Sequence, residues 1–162
     1  MPTVRSTPAT LRAYRNSRLY RPLMRISRIY HREIVERMHE EFPDFQPAFP
    51  SMLSNLDVAG TPVSVLAARA GVTRQAAGQL LRAIERSGFV RLAGSKEDAR
   101  VTLVRFTAKG TKMLARVFVL VEEIEGRYAA LLKPGEFERV RAAMQTIAEA
   151  IDPGGVFGVG DA

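Results

Sequence analysis

The side chains best placed to do chemistry in this sequence are hydrogen-bond donors in a short helical run. Thr73, Arg74, Gln75, Gln79 and Arg82 fall within ten residues, in "TRQAAGQLLR". A glutamine can pair with both edge atoms of adenine, and an arginine can take guanine or a phosphate. A threonine hydroxyl at the start of the helix can meet a phosphate. Twelve residues after Arg82 comes a charged turn, "GSKEDAR", which holds Lys96, Asp98 and Arg100. Reaction chemistry has no comparable set. No nucleophile–base constellation, phosphate-cradling glycine loop or carboxylate cluster with metal spacing is present, so the expectation is not an enzyme, with no cofactor and no metal site. The two histidines, His31 and His39, are eight residues apart and do not by themselves make a metal site. With no cysteine in the chain, disulfides and thiol redox sensing are excluded.

Composition is consistent with a polyanion partner. The 162 residues carry a net charge of +7 and are 46% hydrophobic, enough for one packed domain with extended helices. No apolar run reaches the length of a membrane span, and the N-terminus lacks the apolar segment of a signal peptide, so the expected location is the cytoplasm, without a membrane partner.

The donors need a scaffold, and local signals supply one. Ser64 can cap a compact helix, "VLAARA", that stops at Gly71. Thr73 can cap a second helix that runs to about Ser87 and ends at Gly88, with Ala77, Leu80, Leu81 and Ile84 on its buried face. Two short helices joined by a glycine turn form a helix-turn-helix, and its second helix is of a size to enter a major groove. The runs "FVRLA" and "VTLVRF" then predict a hairpin around "GSKEDAR". Helix, helix and β-ribbon is the order of a winged helix.

The flanks read as long helices. Leu19, Leu23, Ile26, Tyr30, Ile34 and Met38 form one stripe over residues 11–42, with Pro22 expected to cap, kink or split the helix near its start. "PDFQPAFP" breaks it, a short helix is expected at about 50–57 with Met52, Leu53 and Leu56 inward, and "AGTP" is the next break. Thr107 caps a helix to about Leu132 with a seam at Leu114, Val117, Val121, Ile124, Tyr128 and Leu131. A last helix carries Phe137, Val140, Met144, Ile147 and Ile151. Met24, Met38, Met52, Met113 and Met144 read as core filler. Residues 1–10 and 152–162 are expected to be a flexible arm and a flexible tail. Residues 1–40 hold nine arginines and three glutamates, which reads as a solvated helix face or as an arm that adds phosphate contacts.

From about Val63 to Gly110 the chain resembles the MarR family of bacterial winged-helix transcription regulators. The resemblance rests on "LAARAGVTRQAAGQLLRAIERSGFV", "KEDAR" and "VTLVRFTAKG". Within these, Glu85, Gly88, Phe89 and Val90 match the family's helix end, Asp98 and Arg100 its wing motif, and Thr107 and Gly110 its entry to the long helix. The chain departs from the family at Gly78 and Gln79, where a Ser-Arg pair is common, and at Leu92 and Gly94, where an arginine and a proline are common. Lys96 and Arg91 are positioned to compensate for lost phosphate contacts.

The resemblance implies a fold that is mainly α with a small β-wing (α+β), a winged helix-turn-helix over residues 43–106 between dimerisation helices at 11–42 and 107–151. It further implies a homodimeric repressor on a pseudo-palindromic operator, with recognition helices about 34 Å apart. Arg100 would enter the minor groove, aimed by Asp98, and the DNA-binding set would be Thr73, Arg74, Gln75, Gly78, Gln79, Arg82, Lys96, Asp98 and Arg100. A small, often aromatic effector would release the DNA, and Tyr30 and His31 are the candidates to line its pocket. The other reading is a winged helix that serves only as a protein-interaction module. The exposed cations Arg74, Arg82 and Arg100, with Gln79, favour DNA over that reading, since a protein-facing surface shows apolar or aromatic anchors.

Overall fold

A computed structural model of the chain describes residues 7–16, 18–94 and 101–151. Its elements run α1 (Pro8–Asn16), α2 (Tyr20–Glu41), α3 (Pro50–Leu53), β1 (Thr61–Pro62), α4 (Val63–Arg69), α5 (Arg74–Arg86), β2 (Val90–Gly94), β3 (Thr102–Phe106), α6 (Ala108–Ala129) and α7 (Glu136–Ile151). The fold is mainly helical with one three-stranded antiparallel sheet, ordered β1-β3-β2. This is the expected mainly-α winged helix-turn-helix. The expected tail, residues 152–162, lies outside the described residues, as do residues 1–6 of the expected arm. The arm was expected to reach residue 10, but helix α1 already starts at Pro8. Proline is well tolerated at a helix start, where its missing N–H has no intrahelical partner to lose.

Pro22 marks a helix start, one of its expected roles. Helix α2 begins at Tyr20, so Pro22 sits in its first turn, where the backbone N–H groups are unpaired anyway. Past the end of α2 the segment expected only as a break turns out to be core. Phe45 and Phe49 of "PDFQPAFP" pack edge-on with each other and with Phe89, which Phe42 also meets, at ring-centre distances of 5.9–6.2 Å. The prolines stop the helix, and the phenylalanines between them anchor the loop. Helix α3 is shorter than expected, but Met52, Leu53 and Leu56 are buried. Met38, Met52, Leu66, Leu81, Ile84, Phe89, Val104 and Met113 complete a core shared by α2, the winged lobe and α6.

Three expectations need correction. "AGTP" is more than a break, because Thr61 and Pro62 form a strand paired with Val104 and Leu103. A two-residue strand is too short to show periodicity, and its proline is tolerated at a sheet edge. Ser64 does not cap α4. Extended Pro62 is the cap residue, the helix starts at Val63, and no side chain completes the cap. Met24 is exposed, whereas Met38, Met52 and Met113 are buried and Met144 is half-buried.

Helices α2 and α6 run antiparallel. Down their length, Arg116 pairs with Glu41 at 2.9 Å, Arg37 with Glu123 at 2.6 Å, Arg127 with Glu33, and Tyr30 meets Tyr128 edge-on at 6.0 Å. The face of α6 buried in the single chain is Met113, Leu120 and Ile124; Ile124 belongs to the expected seam, and Met113 and Leu120 lie one residue before its Leu114 and Val121. Leu114, Val117, Val121 and Tyr128 are half-buried, and Leu131, beyond the helix end, is 81% exposed. On α7, Val140, Ile147 and Ile151 are exposed and no residue is fully buried.

Candidate nucleic-acid interface

The helix-turn-helix is assembled from local signals. Gly71 takes a φ of +64°, which allows α4 to turn sharply, and the Val72 N–H donates to the Ala67 carbonyl at 3.0 Å. The Thr73 hydroxyl oxygen accepts from the Ala76 N–H at 3.2 Å, the expected cap. Helix α5 then buries Ala77, Leu81 and Ile84 and leaves Leu80 half-buried. The opposite side exposes Arg74, Gln75, Gln79 and Arg82. Arg69 holds α4 in place by donating to both carboxylate oxygens of Asp57, at 3.0 and 2.9 Å, and to the Asn55 carbonyl at 3.1 Å.

Within this exposed side, Arg74, Gly78 and Arg82 are four residues apart and line one open groove of about 410 Å³ with Ser64, Leu92 and Thr102. The structure therefore brings the arginines of α5 together with the base of the wing. Lys96, Asp98 and Arg100, the wing residues expected from the sequence, lie outside the described residues. Gly78 is half-buried and helical, and a methyl added there would meet only the Arg82 guanidinium, at 3.7 Å. Gly78→Ala should thus fit without strain and stabilise the protein by up to about 1 kcal/mol, raising Tm by ~2–4 °C in a thermal melt. A fall in duplex binding by the same, more stable variant would mark Gly78 as a point of close approach.

Helix and wing are coupled by an interaction that the sequence did not reveal. The Leu92 N–H of β2 donates to Glu85 Oε1 at 2.7 Å, so the motif acid of α5 holds the first wing strand. The wing also carries a cation that sequence reasoning passed over, Arg105, beside the already noted Arg91. Arg91 and Arg105 are directly opposed in the β2–β3 register, and both are exposed. Like charges directly opposite destabilise a ribbon slightly, and an anion laid across them removes that cost. The signal was present in the strand alternation, but Arg105 stood out only once the register was known.

The motif at residues 107–110 forms a rigid joint. The Thr107 hydroxyl donates to the Gly88 carbonyl at 2.5 Å and accepts from the Gly110 N–H at 3.0 Å. A Cβ on Gly110 would stand 1.9 Å from the Phe89 carbonyl oxygen, so only glycine lets α6 seat against the end of α5. Lys109 donates to the Ser87 carbonyl at 2.8 Å and to Asp44 at 2.9 Å, and its ammonium lies 4.6 Å from the centre of the Phe89 ring.

Tyr30 and His31 point in different directions. Tyr30 is half-buried against α6, and burial, followed by the charge of Glu125 and a hydrogen bond to it, pushes its phenol up to about 12. It stays neutral at physiological pH. His31 is exposed, donates from Nε2 to the Pro47 carbonyl at 3.3 Å, and lines an open groove with arginines of α1 and α2, a groove that does not include Tyr30. His39 binds the Phe45 carbonyl through Nδ1 at 3.2 Å.

This geometry defines a winged helix-turn-helix carried on long helices. No protein-family model matches the chain, and no curated protein matches it in sequence. Solved structures do match in fold. A mutant of MepR from a multidrug-resistant S. aureus clinical isolate is 20% identical, with a TM-score of 0.68 over 83% of this chain and 99% of that one. The transcriptional repressor CouR, bound to a 23-mer DNA duplex, is 24% identical, with a TM-score of 0.66 over 82% and 94%. The PcaV transcriptional regulator from Streptomyces coelicolor, in complex with its natural ligand, is 18% identical, with a TM-score of 0.59 over 94% and 100%. The chain has the fold of the MarR-type winged-helix regulators.

Proposed function

We propose that the protein is a sequence-specific double-stranded DNA-binding transcription regulator that works as a homodimer. The observation that carries this is α5, which is capped by Thr73, tied to the wing through Glu85, and presents Arg74, Gln75, Gln79 and Arg82 outward. In this reading α5 enters the major groove, Thr73 and Arg82 hold phosphates, and Arg100, aimed by Asp98, lies in the minor groove with Lys96 on the backbone beside it.

The dimer reading is supported by apolar surface that the single chain leaves uncovered. Leu19, the cap residue of α2, Ile26 of α2, Phe118 of α6, and Val140, Ile147 and Ile151 of α7 are all about half exposed or more. Residues 11–42 and 107–151 would form the dimerisation region and residues 43–106 the DNA-binding lobe. The chain would act as a repressor that a small, aromatic molecule releases, a reading supported by fold likeness to the repressor CouR and to ligand-bound PcaV.

The experiment is a mobility shift on the promoter region of the protein's own gene. Wild type should retard the fragment and Arg100→Ala should bind at least about fivefold more weakly, as expected for loss of a single base-edge or groove contact worth ~1–3 kcal/mol. Failure of wild type to retard any genomic fragment at low salt would overturn the reading.

A further inference from the structure

The positive charge of this protein is not centred on the winged lobe. Residues 1–32 hold eight arginines and no acidic residue, whereas the remaining 130 residues hold sixteen basic and seventeen acidic side chains. All of the net charge therefore belongs to the segment that contains α1 and the first half of α2. The cations in it are all arginine, with no lysine, the choice suited to bidentate binding of phosphate.

The fold arranges these arginines on a separate face. Along α2, the apolar stripe Leu19, Leu23, Ile26 and Tyr30 leads into Ile34 and Met38, which pack into the core cluster. Arg21, Arg25, Arg28 and Arg32 each follow a member of this stripe by two residues. At 100° per residue, that places them about 200° around the helix, on its far side. Packing of the apolar stripe against α6 or a second subunit thus leaves the arginines outward. Arg15 of α1 joins Arg21, Arg25, Arg28, Tyr20 and His31 in lining one open groove of about 1180 Å³. Among the described residues, Arg12, Arg15, Arg25 and Arg28 make no ion pair, and the salt bridges begin at Arg32.

The groove also lies away from the recognition helix. The first turn of α6 seats on the lobe at Gly110, and α2 runs antiparallel to α6, with Tyr30 beside Tyr128 near the distal end. About 24 Å of helix separate Arg25 from Glu41 at the end of α2, and the groove meets the loop before α3 where His31 donates to the Pro47 carbonyl.

We propose that α1 and the N-terminal half of α2 form a second nucleic-acid surface, which grips a DNA phosphodiester backbone without reading its sequence. An outward arginine row beside Tyr20 fits a regularly charged polymer that also offers flat bases or sugars. An acidic membrane fits less well, because a basic amphipathic helix inserts through its apolar face, and here the apolar stripe runs into the core at Ile34 and Met38 and is taken up by packing within the protein.

The test isolates this surface from α5. In a background of Arg74→Ala, Gln75→Ala, Gln79→Ala and Arg82→Ala, binding to a labelled random-sequence duplex is measured by anisotropy across a salt series. Binding should persist in that background. Adding Arg15→Gln, Arg25→Gln and Arg28→Gln should weaken it at least tenfold at low salt and flatten the log–log salt slope by about 2–3, close to one phosphate per arginine. The corresponding three lysine substitutions should retain most of the slope, which separates loss of charge from any effect on folding. An unchanged slope in the glutamine variant would overturn the proposal. So would binding to phosphatidylserine vesicles without binding to duplex. The background variant makes this outcome independent of whether α5 reads an operator.

Discussion

Gly110→Ala is expected to destabilise the protein by at least about 3 kcal/mol, lowering Tm by ~6–12 °C. The reason is that the new methyl would stand 1.9 Å from the Phe89 carbonyl oxygen and 2.9 Å from its carbon, both backbone atoms. A flexible side chain could swing aside, but this carbonyl is fixed, because it accepts from the Thr107 N–H at 3.0 Å. The substitution must therefore part α6 from the end of α5 or distort the joint. Gly126→Ala on the same helix is the control. Nothing lies within 4 Å of its added methyl, so it should stabilise slightly, as alanine does in an exposed helix interior. Urea denaturation of the two variants checks the contrast, and a Gly110→Ala protein within 1 kcal/mol of wild type would mean that the joint is not rigid.

The second large effect should fall on recognition alone. Gln75→Ala with Gln79→Ala should reduce affinity for the operator by about 30-fold or more, since each bidentate base contact is worth ~1–3 kcal/mol. Affinity for random sequence should change little, because glutamine adds no charge. Both side chains are exposed, so Tm should stay close to wild type. Competition binding with operator and scrambled duplexes reads the ratio directly. Equal losses on both duplexes would remove these glutamines from base recognition.

Much of the lobe was legible because its signals are local. Thr73, Gly71 and Gly88 act within one turn of the helix ends they mark, and the structure places each at its expected boundary. The wing strands alternate clearly enough to be found, although the parts of the candidate site at Lys96, Asp98 and Arg100 rest on sequence alone. What sequence reasoning missed is mostly non-local. The pairing of Thr61 with Val104 spans more than forty residues, and nothing in two residues announces it. Phe45 and Phe49 belong to the core because Phe89 arrives from a distant helix end. The seam on α6 came out one residue off at Met113 and Leu120 because periodicity shows that a helix has an apolar face. It does not show which part of that face meets α2 and which is left for another partner. Glu85 was found as a motif letter, and its hydrogen bond to Leu92 gives the letter a task.

The joint at Thr107 has a mechanical consequence. With Thr107, Lys109 and Gly110 all fastened to residues 87–89, there is no free swivel between the lobe and α6. Helix α6 is a single 22-residue rod, so it behaves as a lever arm about 33 Å long. A tilt of about 5° displaces one end by ~3 Å relative to the other, close to one base-pair step of DNA. In the proposed dimer, the distance between recognition helices would therefore be set at the opposite end of the rod, by packing around α7 and the start of α2. Small changes in packing there would be geared up into large changes in reach at the DNA.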